Sequence, residues 1–158
     1  MDDVSPPRDF IGEIELELLK LVRHLDTFGR RGSMYARVDR AGYLAMRTLD
    51  ALGPLSANGL ARALGLDAST VTRQITVLER QGYAERCANP ADGRSCMIVL
   101  TDAGRRAMHQ VQRERREKIS QLVSDWEAGG QADLGQSLRR LNAALVGSVA
   151  EDEDRRSA

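Results

Sequence analysis

The sequence predicts a mainly helical fold that contains one short β-hairpin. Apolar residues recur every three or four positions along most of the 158 residues, which is the spacing of one helix face. Between residues 83 and 100, two short runs of β-forming side chains instead flank a stretch of turn formers. With 42% hydrophobic and 29% charged residues, the composition is typical of a globular protein with one domain rather than of a disordered chain.

Two short helices precede the hairpin, and residues that start and stop helices mark their ends. The hydroxyl of Ser56 can accept hydrogen bonds from the free N–H groups of a first helical turn, so a helix is predicted to begin there. Gly65 ends this helix, because glycine tolerates the left-handed backbone of a helix C-terminus. Asp67 then caps a second helix, with its negative charge at the positive end of the helix dipole, and Gly82 closes it.

The second helix has an apolar face and an opposite polar face. At about 100° per residue, Arg73 points away from the apolar stripe. Hydroxyls, an amide and arginines suit base edges and phosphates, because the major groove presents donors and acceptors that such groups match. A solvated polar face is the alternative, but the preceding helix and the hairpin favour a helix-turn-helix with a wing that recognises DNA. The apolar stripe consists of Ala68, Val71, Ile75 and Leu78.

The hairpin supplies a second predicted DNA contact. Residues 83–87 and 96–100 predict two strands, and residues 88–95 between them are dense in turn formers. Arg94 lies near the predicted tip, from which a guanidinium can enter the minor groove, and Asp92 can orient it through its carboxylate. An exposed turn with an incidental ion pair is the alternative. The predicted DNA-binding residues are Ser56, Ser69, Thr70, Thr72, Arg73, Gln74, Arg86, Asp92 and Arg94.

Five motifs between residues 55 and 104 are specific as a set in their order and spacing. They are Leu60-Ala61 with Leu64-Gly65, Ser69-Thr70-Val71-Thr72-Arg73, Leu78-Glu79-Arg80-Gln81-Gly82-Tyr83, Asp92-Gly93-Arg94, and Leu100-Thr101 with Gly104. In these motifs the chain resembles the winged helix-turn-helix domain of the MarR family of transcriptional regulators. The resemblance implies a homodimer that binds pseudo-palindromic double-stranded DNA, with the second helix in the major groove and the wing in the adjacent minor groove. It further implies a repressor that a small aromatic or phenolic effector releases from DNA.

Helices with apolar seams flank this domain at both ends of the chain. The first helix begins near Phe10, and its seam favours packing against another helix, in the same chain or in a dimer partner. After the wing, a helix is predicted from Thr101 to about Trp126, and Gly129-Gly130 separates it from a last helix. The simplest joint arrangement of the first and last seams is a two-fold dimer interface. The predicted parts are a dimerisation region of residues 10–38, a winged helix-turn-helix domain of residues 39–106 and dimerisation helices over residues 107–150.

A further helix, capped by Asp39 and stopped by Gly53-Pro54, leads into the helix pair. In proteins that the chain resembles, effectors often bind where the dimer helices meet the DNA-binding domain. By position, the side chains that line such a pocket here are Tyr35, Tyr43 and Arg47, with ordinary packing of the tyrosines as the alternative. The predicted core residues of this helix are Leu44, Ala45, Thr48, Leu49 and Leu52.

Cys87 and Cys96 flank the predicted turn of the wing. If the hairpin is symmetric about Ala91 and Asp92, the two cysteines lie directly opposite each other, close enough for a strained disulfide. A thiol-based, redox-responsive regulator is therefore an alternative function. The preferred interpretation is two small apolar side chains that stay reduced in the cytosol.

Composition and motifs argue against several other classes of protein. A formal net charge of zero argues against a general polyanion binder, although residues 56–106 carry seven arginines against five carboxylates. The sequence has no phosphate-binding glycine loop, zinc-protease motif or nucleophile elbow, so we expect no enzyme, no cofactor and no metal site. Without a visible signal peptide or membrane-spanning run, we expect a cytoplasmic protein. A winged-helix module that docks on protein, without sequence-specific DNA binding, is the second functional class.

Overall fold

The computed structural model describes residues 9–30, 37–89 and 92–157, which form six helices and one two-stranded antiparallel sheet. The predicted fold, mainly helical with a β wing, is confirmed. Two compact units are present, residues 1–35 with the first helix and residues 36–158 with every other element, while the boundaries predicted after residues 38 and 106 stay predictions. The elements are α1 (Phe10–Arg30), α2 (Arg40–Leu52), α3 (Ala57–Leu64), α4 (Ala68–Arg80), β1 (Ala84–Asn89), β2 (Asp92–Leu100), α5 (Asp102–Leu122) and α6 (Ala128–Ser157).

α1 is a helix in which most of the described apolar side chains are exposed. It begins at Phe10, as predicted, after Asp9, whose carboxylate accepts a hydrogen bond from the Gly12 amide at 2.9 Å. Ile11 and Ile14 of the predicted seam are 76% and 52% exposed. An apolar helix face in water is unfavourable, and such faces are typical of surfaces that another chain covers.

The ends of α3 and α4 follow the predicted caps. Ser56 Oγ and Asp67 Oδ1 each accept a hydrogen bond from the amide three residues further on, at 3.1 and 2.7 Å. Gly65 and Gly82, which follow the two helices, have φ values of 63° and 72°, a left-handed conformation that side chains with a Cβ rarely adopt. These four residues fix the turn between the helices and the path of the chain into the wing.

The core lies between α2, α3, α4, α5 and the wing, and it fixes the orientation of α4. Val71, Ile75 and Leu78 are at most 1% exposed, as predicted, whereas Ala68 in the first turn of α4 is exposed. Each large apolar side chain buried in this way contributes about 1.5–3 kcal/mol to stability, so the polar face of α4 is held outward. The largest buried side chains are Met46, Leu60, Ile75, Leu78, Ile98 and Met108.

α2 presents a different face to the core from the predicted one. Ala45 and Leu49 are buried as expected, but Tyr43 and Met46 accompany them. Two adjacent faces of α2 carry apolar residues, so the choice between them depends on packing against α4 and α5 and is not visible in the helix itself. The predicted core positions that are exposed instead are Leu44 and Leu52.

The strands of the wing are longer, and the turn is shorter, than predicted. β1 and β2 pair antiparallel, from Ala84 opposite Leu100 to Asn89 opposite Asp92, and the register shifts between the last two pairs. Such a β-bulge adds residues to one strand without ending the pairing. The turn predicted over residues 88–95 is therefore wrong, because the bulge lets a sequence rich in turn formers continue as a strand.

The register also overturns the predicted arrangement of the two cysteines. Cys87 pairs with Met97 and Cys96 pairs with Ala88, so the hairpin is not symmetric about the assumed midpoint. Side chains of successive residues point to opposite faces of a strand, and the two cysteines therefore lie on opposite faces of the wing. Both cysteines are free and exposed. The geometric basis for a redox-responsive Cys87–Cys96 pair is thus lost.

The helix after the wing begins where predicted, but its end and the break that follows it lie elsewhere. Thr101 caps α5 as expected, since its Oγ1 accepts a hydrogen bond from the Gly104 amide at 3.0 Å. α5 ends at Leu122, and the break between α5 and α6 lies at residues 123–127, so the predicted break at the two glycines after it is wrong. The Gln131 side chain donates to the backbone carbonyls of Val123 and Trp126, at 3.1 and 3.3 Å. Two carbonyls in the turn between the helices thus gain hydrogen bonds.

Candidate nucleic-acid interface

The outer face of α4 brings together five of the predicted DNA-binding residues. The buried stripe on the opposite side fixes the rotation of the helix, and the Asp67 cap fixes where the helix begins. Three of the five side chains are exposed and two are half-buried. The exposed residues are Ser69, Thr72 and Arg73, and the half-buried residues are Thr70 and Gln74.

Asp67 organises the hydroxyls at the start of this face. Its carboxylate accepts hydrogen bonds from Ser69 Oγ at 2.5 Å, from Thr70 Oγ1 at 2.6 Å and from the Thr70 amide at 2.7 Å. The Ser69 hydroxyl, followed by the Thr70 hydroxyl and amide, holds the pKa of Asp67 well below its usual range. Asp67 is therefore ionised throughout the neutral range, beside the candidate DNA contacts.

Arg73 projects from the centre of the same face. Its Nη2 donates to Thr70 Oγ1 at 3.3 Å, which links the guanidinium to the hydroxyls that Asp67 organises. An exposed guanidinium on a helix is a donor of suitable geometry for guanine edges and for phosphates. Further along the helix, Thr72 and Thr76 donate to the backbone carbonyls four residues before them, at 2.7 and 2.9 Å.

Arg86 connects the wing to the end of α4. Its Nε donates to Glu79 Oε1 at 3.0 Å, and the two side chains are 40% and 29% exposed. This ion pair uses one of the five N–H groups that a guanidinium carries. The structure therefore assigns to Arg86, a predicted DNA contact, a bridging role between β1 and α4.

The remaining predicted DNA contacts lie at the edges of the interface. Ser56 is half-buried at the start of α3, where its hydroxyl oxygen accepts a hydrogen bond from the Gly59 amide. Asp92 and Arg94 lie in β2, but their side chains are outside the described residues, so the predicted contact between the two stays a prediction.

A cleft of about 320 Å³ separates the outer face of α4 from the start of α2. Asp39 and Gly42 border it on the α2 side, with Thr70, Arg73 and Gln74 on the α4 side. Gln74 Oε1 is buried and has no hydrogen-bond partner among the described residues. Sequence reasoning missed this cleft, because the two helices that border it are separated by the whole of α3.

Two of the three predicted effector-binding residues are in contact on α2. Arg47 Nη1 donates to Tyr43 Oη at 3.4 Å, and the buried Arg47 Nε has no hydrogen-bond partner within the described ranges. From α5, the Arg115 guanidinium carbon lies 5.5 Å from the centroid of the Tyr43 ring, a cation–π distance. No sequence motif indicates that Arg115 belongs to this cluster, and Tyr35 lies outside the described residues.

A second cleft, of about 450 Å³, lies between α2, α3 and α6. Leu44, Leu64 and Val146 are among the apolar side chains that line it. Within the three described segments, no helix combines the length and hydropathy that a membrane span requires.

Comparisons with known proteins agree with this geometry. Residues 39–96 match the family model described as MarR family. The HTH-type transcriptional regulator YxaD of Bacillus subtilis is 30% identical over 133 residues, which cover 84% of this chain and 93% of that protein. The match to YxaD therefore extends over almost the whole length of a transcriptional regulator.

Two solved structures share the fold. A MarR protein from Peptoclostridium difficile has a TM-score of 0.74 at 14% identity, covering 96% of this chain and 97% of its own. The PcaV transcriptional regulator of Streptomyces coelicolor, solved with its natural ligand, has a TM-score of 0.65 at 23% identity. The match covers 92% of this chain and 99% of PcaV. The chain belongs to the MarR family of winged helix-turn-helix transcriptional regulators.

Proposed function

We propose that this regulator binds pseudo-palindromic double-stranded DNA as a homodimer and represses transcription from that site. The observation that carries the proposal is the outer face of α4, which carries Arg73 and the hydroxyls of Ser69, Thr70 and Thr72. The opposite face of the helix carries the buried side chains Val71, Ile75 and Leu78. A helix of this kind fits the major groove, and its buried side leaves no other face free for DNA. A family of transcriptional regulators is not a class of enzymes, and we propose no catalytic role.

The wing adds a contact in the adjacent minor groove. Arg94 enters the groove, where the negative potential is strongest, and Asp92 orients its guanidinium. The Arg86–Glu79 ion pair supports this arrangement, because it ties the base of the wing to α4 and so fixes the distance between the two contacts.

The dimer is supported by apolar side chains that the described residues leave in solvent. α1 carries Ile11, Ile14 and Leu21 at 76%, 52% and 43% exposure, and α6 carries Leu138 and Leu145 at 40% and 54%. Covering these seams by a two-fold related copy removes the cost of their hydration. A two-fold dimer also places two recognition helices on the two halves of an inverted repeat.

A small aromatic or phenolic effector is proposed to contact Tyr43 and Arg47, with Tyr35 as a third contact from outside the described residues. Three facts support this cluster: an Arg47 Nε without a partner among the described residues, the contact of Arg47 Nη1 with the Tyr43 hydroxyl, and the Arg115 guanidinium over the Tyr43 ring. PcaV, which has the same fold, was solved with its natural ligand. Binding at α2 displaces the helix pair that α2 supports, and repression ends because the two α4 helices lose their spacing.

Arg73→Ala tests the proposed recognition face. Operator DNA, selected by the wild-type chain from random duplexes, and unselected DNA of equal length are titrated at one fixed salt concentration, because phosphate contacts make affinity steeply salt-dependent. We expect a loss of about 1–3 kcal/mol on the operator and a smaller loss on unselected DNA, since a base contact is removed.

The matched control is Arg116→Ala, which removes an exposed arginine from α5, a helix that carries none of the candidate DNA contacts. It should leave the ratio of the two affinities unchanged. An equal loss on both DNAs in Arg73→Ala would show that Arg73 contacts phosphate only. Weak binding of the wild-type chain to every duplex would favour the protein-docking module.

A further inference from the structure

All four hydroxyls on the outer side of α4 donate their protons inside the chain. Ser69 and Thr70 donate to the carboxylate of Asp67, at 2.5 and 2.6 Å. Thr72 and Thr76 donate to backbone carbonyls of α4. The hydroxyl must be the donor in each of these bonds, because ionised carboxylates and carbonyls carry no proton to donate.

A hydroxyl whose only proton is used inside the protein offers the solvent side nothing but lone pairs. Ser69 is exposed, so its oxygen faces the medium as an acceptor. Thr70 already accepts from Arg73 Nη2 with one of its lone pairs, which leaves Ser69 as the more available of the two.

The two pairs of hydroxyls differ in how firmly they are held. Bonds to a carboxylate are charge-assisted and roughly twice as strong as bonds between neutral groups. The hydroxyls of Thr72 and Thr76, which are bonded to neutral carbonyls, can rotate and donate to DNA at little cost. The hydroxyls of Ser69 and Thr70 can do so only by leaving an ionised partner.

We propose that Asp67 is a positioning residue for base selection, which rests on the proposed function. By holding the protons of the Ser69 and Thr70 hydroxyls, Asp67 makes these hydroxyls acceptors and directs them to bases with an amino group in the major groove. Those bases are adenine and cytosine, whereas guanine and thymine present acceptors at the corresponding atoms. Phosphate oxygens also only accept, so these two hydroxyls are not phosphate contacts.

The test is Asp67→Asn, studied in the full chain by selection of binding sites from random duplexes. Asparagine caps helices as well as aspartate does, with its oxygen in place of Oδ1, which accepts from the Thr70 amide. Its nitrogen then takes the place of Oδ2 and donates to the Thr70 hydroxyl, whose proton is released. The Ser69 hydroxyl now bonds to a neutral oxygen instead of a carboxylate, and it can rotate to donate to DNA at less cost. We expect the preference for adenine or cytosine to fall roughly two- to tenfold at one or two positions of each half-site, the factor that one neutral hydrogen bond supplies. The remaining positions of the site should keep their preferences.

Asp39→Asn is the matched control. Asp39 also caps a helix and borders the cleft beside α4. Its carboxylate accepts from the Gly42 amide and from no hydroxyl in the part of the chain that the structure describes. Both substitutions remove one negative charge near the DNA and should raise affinity for all duplexes alike. Only Asp67→Asn should change base preference, and the same change in Asp39→Asn would overturn the proposal.

Removal of single amino groups from DNA locates the contact. In wild-type protein, replacing the preferred adenine by purine, or the preferred cytosine by 2-pyrimidinone, should weaken binding two- to tenfold, and in Asp67→Asn by less. If Asp67→Asn fails to fold, Ser69→Ala replaces it, because that substitution removes the acceptor from an exposed position and should lose the same preference.

The outcomes separate this inference from the function on which it rests. A wild-type chain without any sequence selectivity overturns both. Selective wild-type binding, with base preferences that Asp67→Asn and Ser69→Ala leave unchanged, overturns the role of Asp67 and leaves the DNA-binding function in place.

Discussion

Gly104 lies where the first turn of α5 passes the turn between α4 and β1. A Cβ at this position would overlap the carbonyl oxygen of Tyr83 and lie 2.9 and 3.1 Å from the Tyr83 carbonyl carbon and Cα. Thr101, which caps α5, donates to the carbonyl of Gly82 in the same junction, at 2.6 Å. The glycine is therefore required by close approach of two backbone segments rather than by its own backbone conformation.

Gly104→Ala is expected to lower the free energy of unfolding by about 1–3 kcal/mol, because backbone has to move to admit the methyl group. Urea unfolding measures the change. The control is Gly147→Ala in α6, where a Cβ meets nothing within 4 Å and alanine is the better helix former. Equal stability of wild type and Gly104→Ala would contradict the close approach.

Ser69→Ala is expected to raise the pKa of Asp67 toward the ordinary carboxyl value, because the Ser69 hydroxyl is the largest cause of the lowered pKa. A lowered pKa in the folded state means that the contribution of Asp67 to stability is present at neutral pH. That contribution is lost as the pH falls below about 3.9, the ordinary aspartate value, toward the lowered one. Titration of the carboxyl carbon by NMR measures the shift, and Thr72→Ala, which does not touch Asp67, should leave it unchanged.

At the residue scale, the sequence predicted what depends on neighbours within four positions. The caps at Ser56, Asp67 and Thr101 are of this kind. It missed the contact of Gly104 with Tyr83 and the place of Arg115 over Tyr43, because each joins residues from different elements.

At the element scale, the wing shows how a correct prediction of type can fail in register. Two strands and a turn follow from the residues themselves, but the pairing depends on a bulge near the tip that neither strand reveals alone. The break between α5 and α6 was misplaced for a similar reason. The Gln131 side chain donates hydrogen bonds to two backbone carbonyls in the turn at residues 123–127, so the two glycines that follow are not needed to end a helix.

Oxidation of the folded chain with mild peroxide is expected to give no intramolecular disulfide, because Cys87 and Cys96 lie on opposite faces of the wing. Mass spectrometry of the single chain, together with thiol titration, measures this. Cys96→Ala provides the reference for losses that involve one thiol only. An intramolecular disulfide would lower the mass of the chain by two daltons. Such a product, with the helicity and thermal stability of the reduced chain, would contradict the register of the wing.

At the scale of the whole molecule, two properties support the proposed dimer. The apolar seams of α1 and α6 are exposed although their sequence spacing is that of packed helices. The net charge is zero, so general electrostatic attraction to DNA is weak. Affinity then depends on specific contacts, and a dimer makes twice as many of them as a single chain. The seams were visible in the sequence, but whether they pack within the chain or against a second copy was not, since a core and a dimer interface have the same pattern.

The central claim, that this chain recognises DNA by sequence through α4 as a dimer, is tested most directly by selection from random duplexes at fixed salt, followed by titration of the enriched DNA. The account predicts an inverted repeat with half-sites about one helical turn apart, bound by two chains per site and far more tightly than unselected DNA. No enriched sequence, with equal and weak binding to all duplexes, would contradict it.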